Sequence, residues 1–229
     1  MNIKKSPKFL GVIPARAGSK GIPSKNIVNL CGNPLIYYTI KSALNSNLDK
    51  VVVSTDCLQI AEVSQKLGCP VILRPKKLAE DKTPTLPVLL HALEKESKDF
   101  DYVVTLQPTS PLRSSVHINE SIKLITDDNK ADSLVSIVQV PHNMVPESIM
   151  KMQKGYLVPY TESNITRRQD KPSYYARNGA AIYISKIQSL HNGIMGERIL
   201  PYEMDYDSSI DVDFVDDLKR AELIMKNKL

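Results

Sequence analysis

The chain has 229 residues, 42% of them hydrophobic and 24% charged, enough for one globular domain with a substantial core and at most a modest appendage. Its net charge of +5 (pI near 8.9) comes from basic residues interleaved with acids, which argues against a nucleic-acid stripe and fits single Arg and Lys residues aimed at a small phosphate ligand. The three cysteines, Cys31, Cys57 and Cys69, form no CxxC pair, and the first apolar stretch, Phe9 to Pro14, is too short for a signal core or a membrane span. A cytoplasmic protein without disulfides, zinc or a membrane partner is expected.

In chain order, Phe9–Pro14, Lys50–Ser54, Pro70–Leu73, Asp101–Leu106 and Ser133–Val140 read as strands, and their continuous apolar runs suit a sheet covered on both faces. Between them, Leu35–Leu44, Leu58–Leu67, Leu86–Ala92 with a charged tail at 94–98, and Val116–Ile125 carry helical spacing; Ser114 and Ser115 are placed to cap the last of these. This alternation predicts a three-layer α/β domain with a mostly parallel, Rossmann-like sheet, whose ligands sit at the carboxyl ends of the strands. After Val140 the prolines at 141, 146, 159 and 172 break the pattern, so residues 141–175 are expected to form an arm within a single 1–229 domain. The core resumes with a strand at Gly179–Ile184, and Ser208–Asp213 leads into a last helix, Phe214–Met225.

Five constellations carry candidate chemistry. Pro14-Ala-Arg-Ala-Gly-Ser-Lys-Gly-Ile-Pro-Ser-Lys-Asn26 follows the first strand. Gly18 and Gly21 permit tight turns whose free N–H groups can nest an anion, and Arg16, Lys20 and Lys25 add cations for a triphosphate. The segment matches neither a Walker loop nor a dinucleotide fingerprint. In Leu106-Gln-Pro-Thr-Ser-Pro-Leu-Arg113, Gln107 is placed to face a cleft, and Arg113 has either a ligand or a structural salt bridge to make. Asp211 and Asp213, read as extended chain, point to one side and can converge on Mg²⁺; alternatively, Asp213 caps the last helix with Asp216 completing a capping box. Asp56, in Ser54-Thr-Asp56, is expected to cap the helix starting near Leu58, with nucleotide positioning as the second role. Arg167-Arg-Gln169, with Tyr174 to Asn178, offers planar cations suited to a carboxylate-bearing substrate, or else only surface charge on an arm. His91, His117, His142 and His191 have no ligand spacing, and no nucleophile elbow is present.

Residues 13–26 (IPARAGSKGIPSKN), 54–56 (STD), 73–75 (LRP), 106–113 (LQPTSPLR), 177–184 (RNGAAIYI) and 209–213 (SIDVD), in that order over nearly the whole chain, resemble the acylneuraminate cytidylyltransferases, the CMP-sialic acid synthetases with their legionaminate and pseudaminate relatives. The resemblance implies a nucleotidyltransferase fold, CTP and Mg²⁺ as requirements, and attack by a sugar's anomeric hydroxyl on the α-phosphate. It implies that Arg16, Lys25 and Asp211 are catalytic, that Ala15, Arg16, Lys20, Lys25, Asn26 and Arg74 bind the nucleotide, that Gln107, Arg168 and Asn178 contact a nonulosonic acid, and that Asp211 and Asp213 hold the metal. It also implies a homodimer in which the 141–175 arm carries Arg168 toward the other subunit's site.

The sialate enzymes read R-P-N-G where this chain has Ala176-Arg-Asn-Gly179, and Arg167-Arg-Gln169 followed by Pro172 and Tyr174 is closer to the legionaminate-type branch. The nearest alternative, a 3-deoxy-manno-octulosonate cytidylyltransferase, carries S-x-R-x-P-x-K; here Ser19 to Lys25 holds one more residue before the proline. A catalytically inactive nucleotide-binding homologue would lack the metal or triphosphate residues, yet Arg16, Lys25, Asp211 and Asp213 are all present.

Overall fold

A strand apolar at every position has to be covered on both faces, and the first strand shows how. The computed structural model describes residues 6–96, 99–128, 130–162, 165 and 167–227. In it β1 (Phe9–Pro14) sends Phe9 and Ile13 into one core cluster and Leu10 and Val12 into the other. Full burial of each such side chain stabilises the fold by about 1.5–3 kcal/mol. A short ribbon, β2 (Asn29–Leu30) with β3 (Asn33–Pro34), then leads into α1 (Leu35–Leu44).

Next come β4 (Lys50–Thr55), α2 (Leu58–Lys66), β5 (Val71–Leu73), α3 (Thr85–Glu96), β6 (Tyr102–Thr105), α4 (Ser115–Asp127) and β7 (Ser133–Gln139). The predicted alternation is therefore present, within one or two residues at most ends. Ser114 caps α4, accepting from the His117 N–H at 3.4 Å, while the Ser114 N–H donates to the His117 ring. β1, β4, β5 and β6 run parallel. One core cluster joins the sheet to α1, α2 and α4, and the other joins it to α3, so the sheet is the middle layer of three.

Beyond β7 the chain leaves the sheet in an antiparallel hairpin, β8 (Met150–Gln153) with β9 (Tyr156–Pro159), which exposes Met150, Met152, Tyr156 and Leu157. It returns as β10 (Tyr175–Arg177), β11 (Tyr183–Lys186), β12 (Ile199–Glu203) and α5 (Val215–Asn227). β10 and β11 pair antiparallel with the same edge of β7, and β12 pairs parallel with the other edge.

The strand expected over Gly179–Ile184 differs from what forms. Arg177 pairs with Ile137 and Tyr183 with Val135, so residues 178–182 face Ser136 alone in a wide bulge. Ser136 plugs it: its hydroxyl donates to Asn178 Oδ1 at 2.6 Å and accepts from the Ile182 N–H at 2.9 Å. Gly179 (φ 69) and Ala180 (φ 59) supply the left-handed backbone that the detour needs. Ser208–Asp213 is a turn followed by the expected extended chain, held by the Val212 N–H donating to the Thr109 carbonyl at 2.7 Å.

Candidate active site

The carboxyl ends of β1, β5 and β6 open into a cleft of about 380 Å³. The turn after β1 forms one flank. Its shape is fixed through backbone atoms: the Ala15 N–H donates to the Ser54 carbonyl at 2.9 Å, the Ala17 N–H to Asp56 Oδ1 at 3.0 Å, and Asn26 Nδ2 to the Arg16 carbonyl at 2.9 Å. Arg16, Gly18, Ser19, Lys25 and Asn26 thereby line the cleft. Arg16 pairs with Asp81 at 2.5 Å, and Lys20 reaches the same carboxylate at 3.0 Å from an exposed position. Those two contacts hold the Asp81 carboxyl below its usual range, first through Lys20 and then through Arg16.

The opposite flank is the segment before α5. Asp211 and Asp213 both line the cleft, and Lys25 Nζ bridges the two flanks by donating to Asp213 Oδ1 at 2.7 Å. Asp211 is largely buried, and among the described residues its Oδ1 has no hydrogen-bond partner. Burial raises the pKa of its carboxyl, Thr109 opposes the shift with a side-chain hydrogen bond, and the Asp213 charge reinforces it. A carboxylate in that position is electrostatically short of a cation.

The floor carries Gln107, just past β6, and Arg74, just past β5. Arg74 is 7% exposed, and its Nε and Nη1 lack partners. Burial lowers its pKa, offset in part by the Asp56 carboxylate. Such a guanidinium, buried with its donors unspent, is suited to a ligand with planar acceptors.

Several expectations are corrected. Asp56 does not cap α2; its carboxylate accepts the Ala17 N–H of the turn instead. Asp217, not Asp213 with Asp216, closes the start of α5 by accepting the N–H of Asp213 at 3.1 Å and of Phe214 at 2.8 Å, which leaves the Asp213 carboxylate to Lys25. Among the described residues Arg113 makes no salt bridge. It is buried, donates to the Gln107 carbonyl at 3.2 Å and the Ala181 carbonyl at 2.8 Å, and desolvation pulls it down to about 9.

Ala15 is fully enclosed, with its N–H committed to β4. Asn178 is turned inward, away from the cleft, onto Ser136, Ser209 and the Met204 sulfur. Lys20 stands on the outer rim rather than in the cleft, and Arg168 begins the turn Arg168–Asp170 on the arm, its side chain lying outside the described residues.

With this geometry fixed, comparison with known proteins is decisive. The model of the family described as Cytidylyltransferase matches residues 10–229. The chain belongs to the cytidylyltransferase family. It is 34% identical to the N-acylneuraminate cytidylyltransferase of Escherichia coli O18:K1:H7 (strain RS218 / NMEC) over 96% of this chain and 53% of that protein. It is also 34% identical to the post-translational flagellin modification protein B of Campylobacter coli over 96% of both. The chain thus spans about half the length of several curated relatives and nearly all of another. Among solved structures, a CMP:2-keto-3-deoxy-manno-octonic acid synthetase complexed with CTP superposes with a TM-score of 0.74 at 19% identity, covering 97% of this chain and all of that one, which fixes the fold as that of a nucleotidyltransferase.

For this member of the family, the fit of a divalent cation can be tested on the acids themselves. Among the described residues no group of three or more His, Cys, Asp or Glu converges, so the available donor set is the Asp211–Asp213 pair. Two carboxylates, one with a buried unpartnered oxygen, suit Mg²⁺, which commonly completes its shell with water and substrate phosphate. Sequence reasoning missed Asp81 and Thr109. Asp81 lies in a mixed-charge loop without pattern, and Thr109 sits inside the motif at 106–113, where only the fold shows that it meets Asp211.

Proposed function

We infer that the chain transfers CMP from CTP to the anomeric hydroxyl of a nonulosonic, sialic-acid-like sugar and releases pyrophosphate, with Mg²⁺ as the metal. One observation carries the reading: a cationic turn and a carboxylate pair close on the same cleft, joined by Lys25 and Asp213 at 2.7 Å. The identity of the Escherichia coli relative as an N-acylneuraminate cytidylyltransferase supports the choice of nucleotide and sugar class.

Phosphoryl-type transfer asks a protein for in-line positioning and charge neutralisation more than for covalent chemistry. Arg16 and Lys25 would bind the triphosphate, and Lys20 would reach it from the rim; the N–H groups of the turn, shaped by Asp56 and Asn26, orient it. Arg74 and Asn26 would hold the nucleoside end, and Gln107 the acceptor sugar. Asp211 and Asp213 would hold the cation, which when bound neutralises phosphate charge and assists departure of pyrophosphate.

The arm at 141–175 is read as a dimer contact that brings Arg168 to the neighbouring site. Its exposed Met152, Tyr156 and Leu157 are the apolar surface such a contact would cover. Action in the cytoplasm, supplying an activated sugar for surface glycans, is part of the same reading. So is preference for a legionaminate-type acid, which rests on the Arg167–Gln169 segment and Ala176-Arg-Asn-Gly179. Among the described residues no helix is long and apolar enough to cross a membrane.

The test is a panel of sialic, legionaminic and pseudaminic acids with 3-deoxy-manno-octulosonate, each incubated with CTP and Mg²⁺ and read by mass spectrometry of the CMP product. A CMP-nonulosonate is expected. Product only from the eight-carbon acid would move the substrate, and no pyrophosphate from any acceptor would end the enzymatic reading.

A further inference from the structure

We propose that Gly179 is a positioning residue for the acid pair, its missing side chain being the seat of the Asp211 carboxylate; this rests on the metal-binding reading above. A Cβ on Gly179 would overlap the Asp211 carboxylate and crowd the Asp211 Cβ at 2.8 Å. The left-handed backbone at Gly179 (φ 69) would strain a substitution by itself, and the overlap with Asp211 comes on top of that strain.

The seat is held from both sides. Ser136 fills the bulge behind Asn178, and Asn178 Nδ2 donates to Ser209 Oγ at 3.0 Å, two residues before Asp211. The bulge and the acid segment are thus clamped to each other, with Asp211 Oδ2 turned to the Gly179 position and Oδ1 buried without a partner among the described residues, available to a cation. The other flank repeats the device: a Cβ on Gly21 would overlap the Asp213 carbonyl oxygen, so each acid is approached by a glycine from a different segment.

The experiment compares the parent chain with Gly179→Ala, Asp211→Gly, the double variant, and Gly32→Ala. Gly32 shares the left-handed backbone (φ 85) but has nothing within 4 Å of an added Cβ, so it reports strain without the clash. Mn²⁺ binding is titrated by electron paramagnetic resonance in the presence of CTP without acceptor, alongside kcat and KM.

Gly179→Ala is expected to weaken Mn²⁺ binding about 10- to 100-fold, the range typical for residues that orient metal ligands, with Gly32→Ala unchanged. The double variant is expected to bind no more weakly than Asp211→Gly, because the two changes remove one contact. Mn²⁺ affinity of Gly179→Ala within about twofold of the parent, or losses that simply add, overturns the proposal. Should Gly179→Ala fail to fold, recovery of cooperative unfolding in the double variant supports the contact, and its absence overturns it. Undiminished Mn²⁺ binding by Asp211→Gly would instead overturn the metal assignment itself.

Discussion

The cationic turn and the acid pair face each other across one cleft but are held by opposite means. The turn is fixed through its backbone, by Ser54, Asp56 and Asn26, and its long side chains reach partners at the cleft rim, with Arg16 and Lys20 on Asp81. Asp211 is fixed by packing, against a glycine and under Thr109 with an oxygen left unpaired in the interior, while the exposed Asp213 is held by Lys25. A solvated cation can adjust to its ligand, whereas a buried carboxylate has to be in place beforehand, so the two flanks should respond differently to mutation.

The largest expected effect is on the acid flank. Asp211→Ala should lower kcat for CMP-sugar formation by about 10²–10³-fold or more, the scale of losing one electrostatic stabiliser, while far-ultraviolet circular dichroism stays unchanged. Normal turnover with Mg²⁺ would break the contrast at its strong end. Arg113→Met should follow. It takes the donor from the Ala181 carbonyl, an unsatisfied group costing about 1–3 kcal/mol, while the Gln107 carbonyl keeps the Ser110 N–H and the Thr39 hydroxyl, and urea denaturation reads the loss.

On the turn flank, Asp56→Ala releases the Ala17 N–H and removes the carboxylate facing Arg74. KM for CTP should rise about tenfold with kcat less affected, corresponding to roughly one charge-assisted hydrogen bond. A loss confined to kcat would show that the turn acts only in the transition state. Asp81→Asn should have the opposite sign, tightening CTP binding by no more than a few-fold because exposed pairs are weak, and isothermal titration measures it.

The smallest effect on activity belongs to the far end of the sheet. There Asp132 accepts the N–H groups of Arg198 at 3.0 Å and Glu197 at 3.2 Å, and the Arg198 bond foremost holds its carboxyl below the usual range. A lowered folded-state pKa means that its stabilisation is complete above the ordinary carboxylate range and disappears as pH falls through the folded value. Asp132→Asn should therefore lower the urea midpoint near about pH 7, with the gap to the parent closing toward about pH 3 and turnover unchanged throughout.

The same contrast explains what was legible in the sequence. Strand β1, the α/β alternation and the cationic turn announce themselves because they depend on local composition: apolar runs, helical spacing, Gly and Lys in a loop. Asp211 and Asp213 were legible as a pair, but the reason they converge was not. It lies in a bulge where five residues face Ser136, and the apolar Gly179–Ile184 run reads as an ordinary strand. Asp56 and Asn178 were assigned by position in their motifs, yet their partners, the Ala17 N–H and Ser136, come from distant segments that no local pattern names.

The link between Lys25 and Asp213 spans 188 positions of the chain. During synthesis the turn therefore leaves the ribosome long before the acids that complete it, and the strands can assemble while the cleft still lacks one wall. A nascent chain stalled ahead of Ser208 would display a nearly finished sheet whose cationic turn still lacks the carboxylate that Lys25 meets in the folded chain.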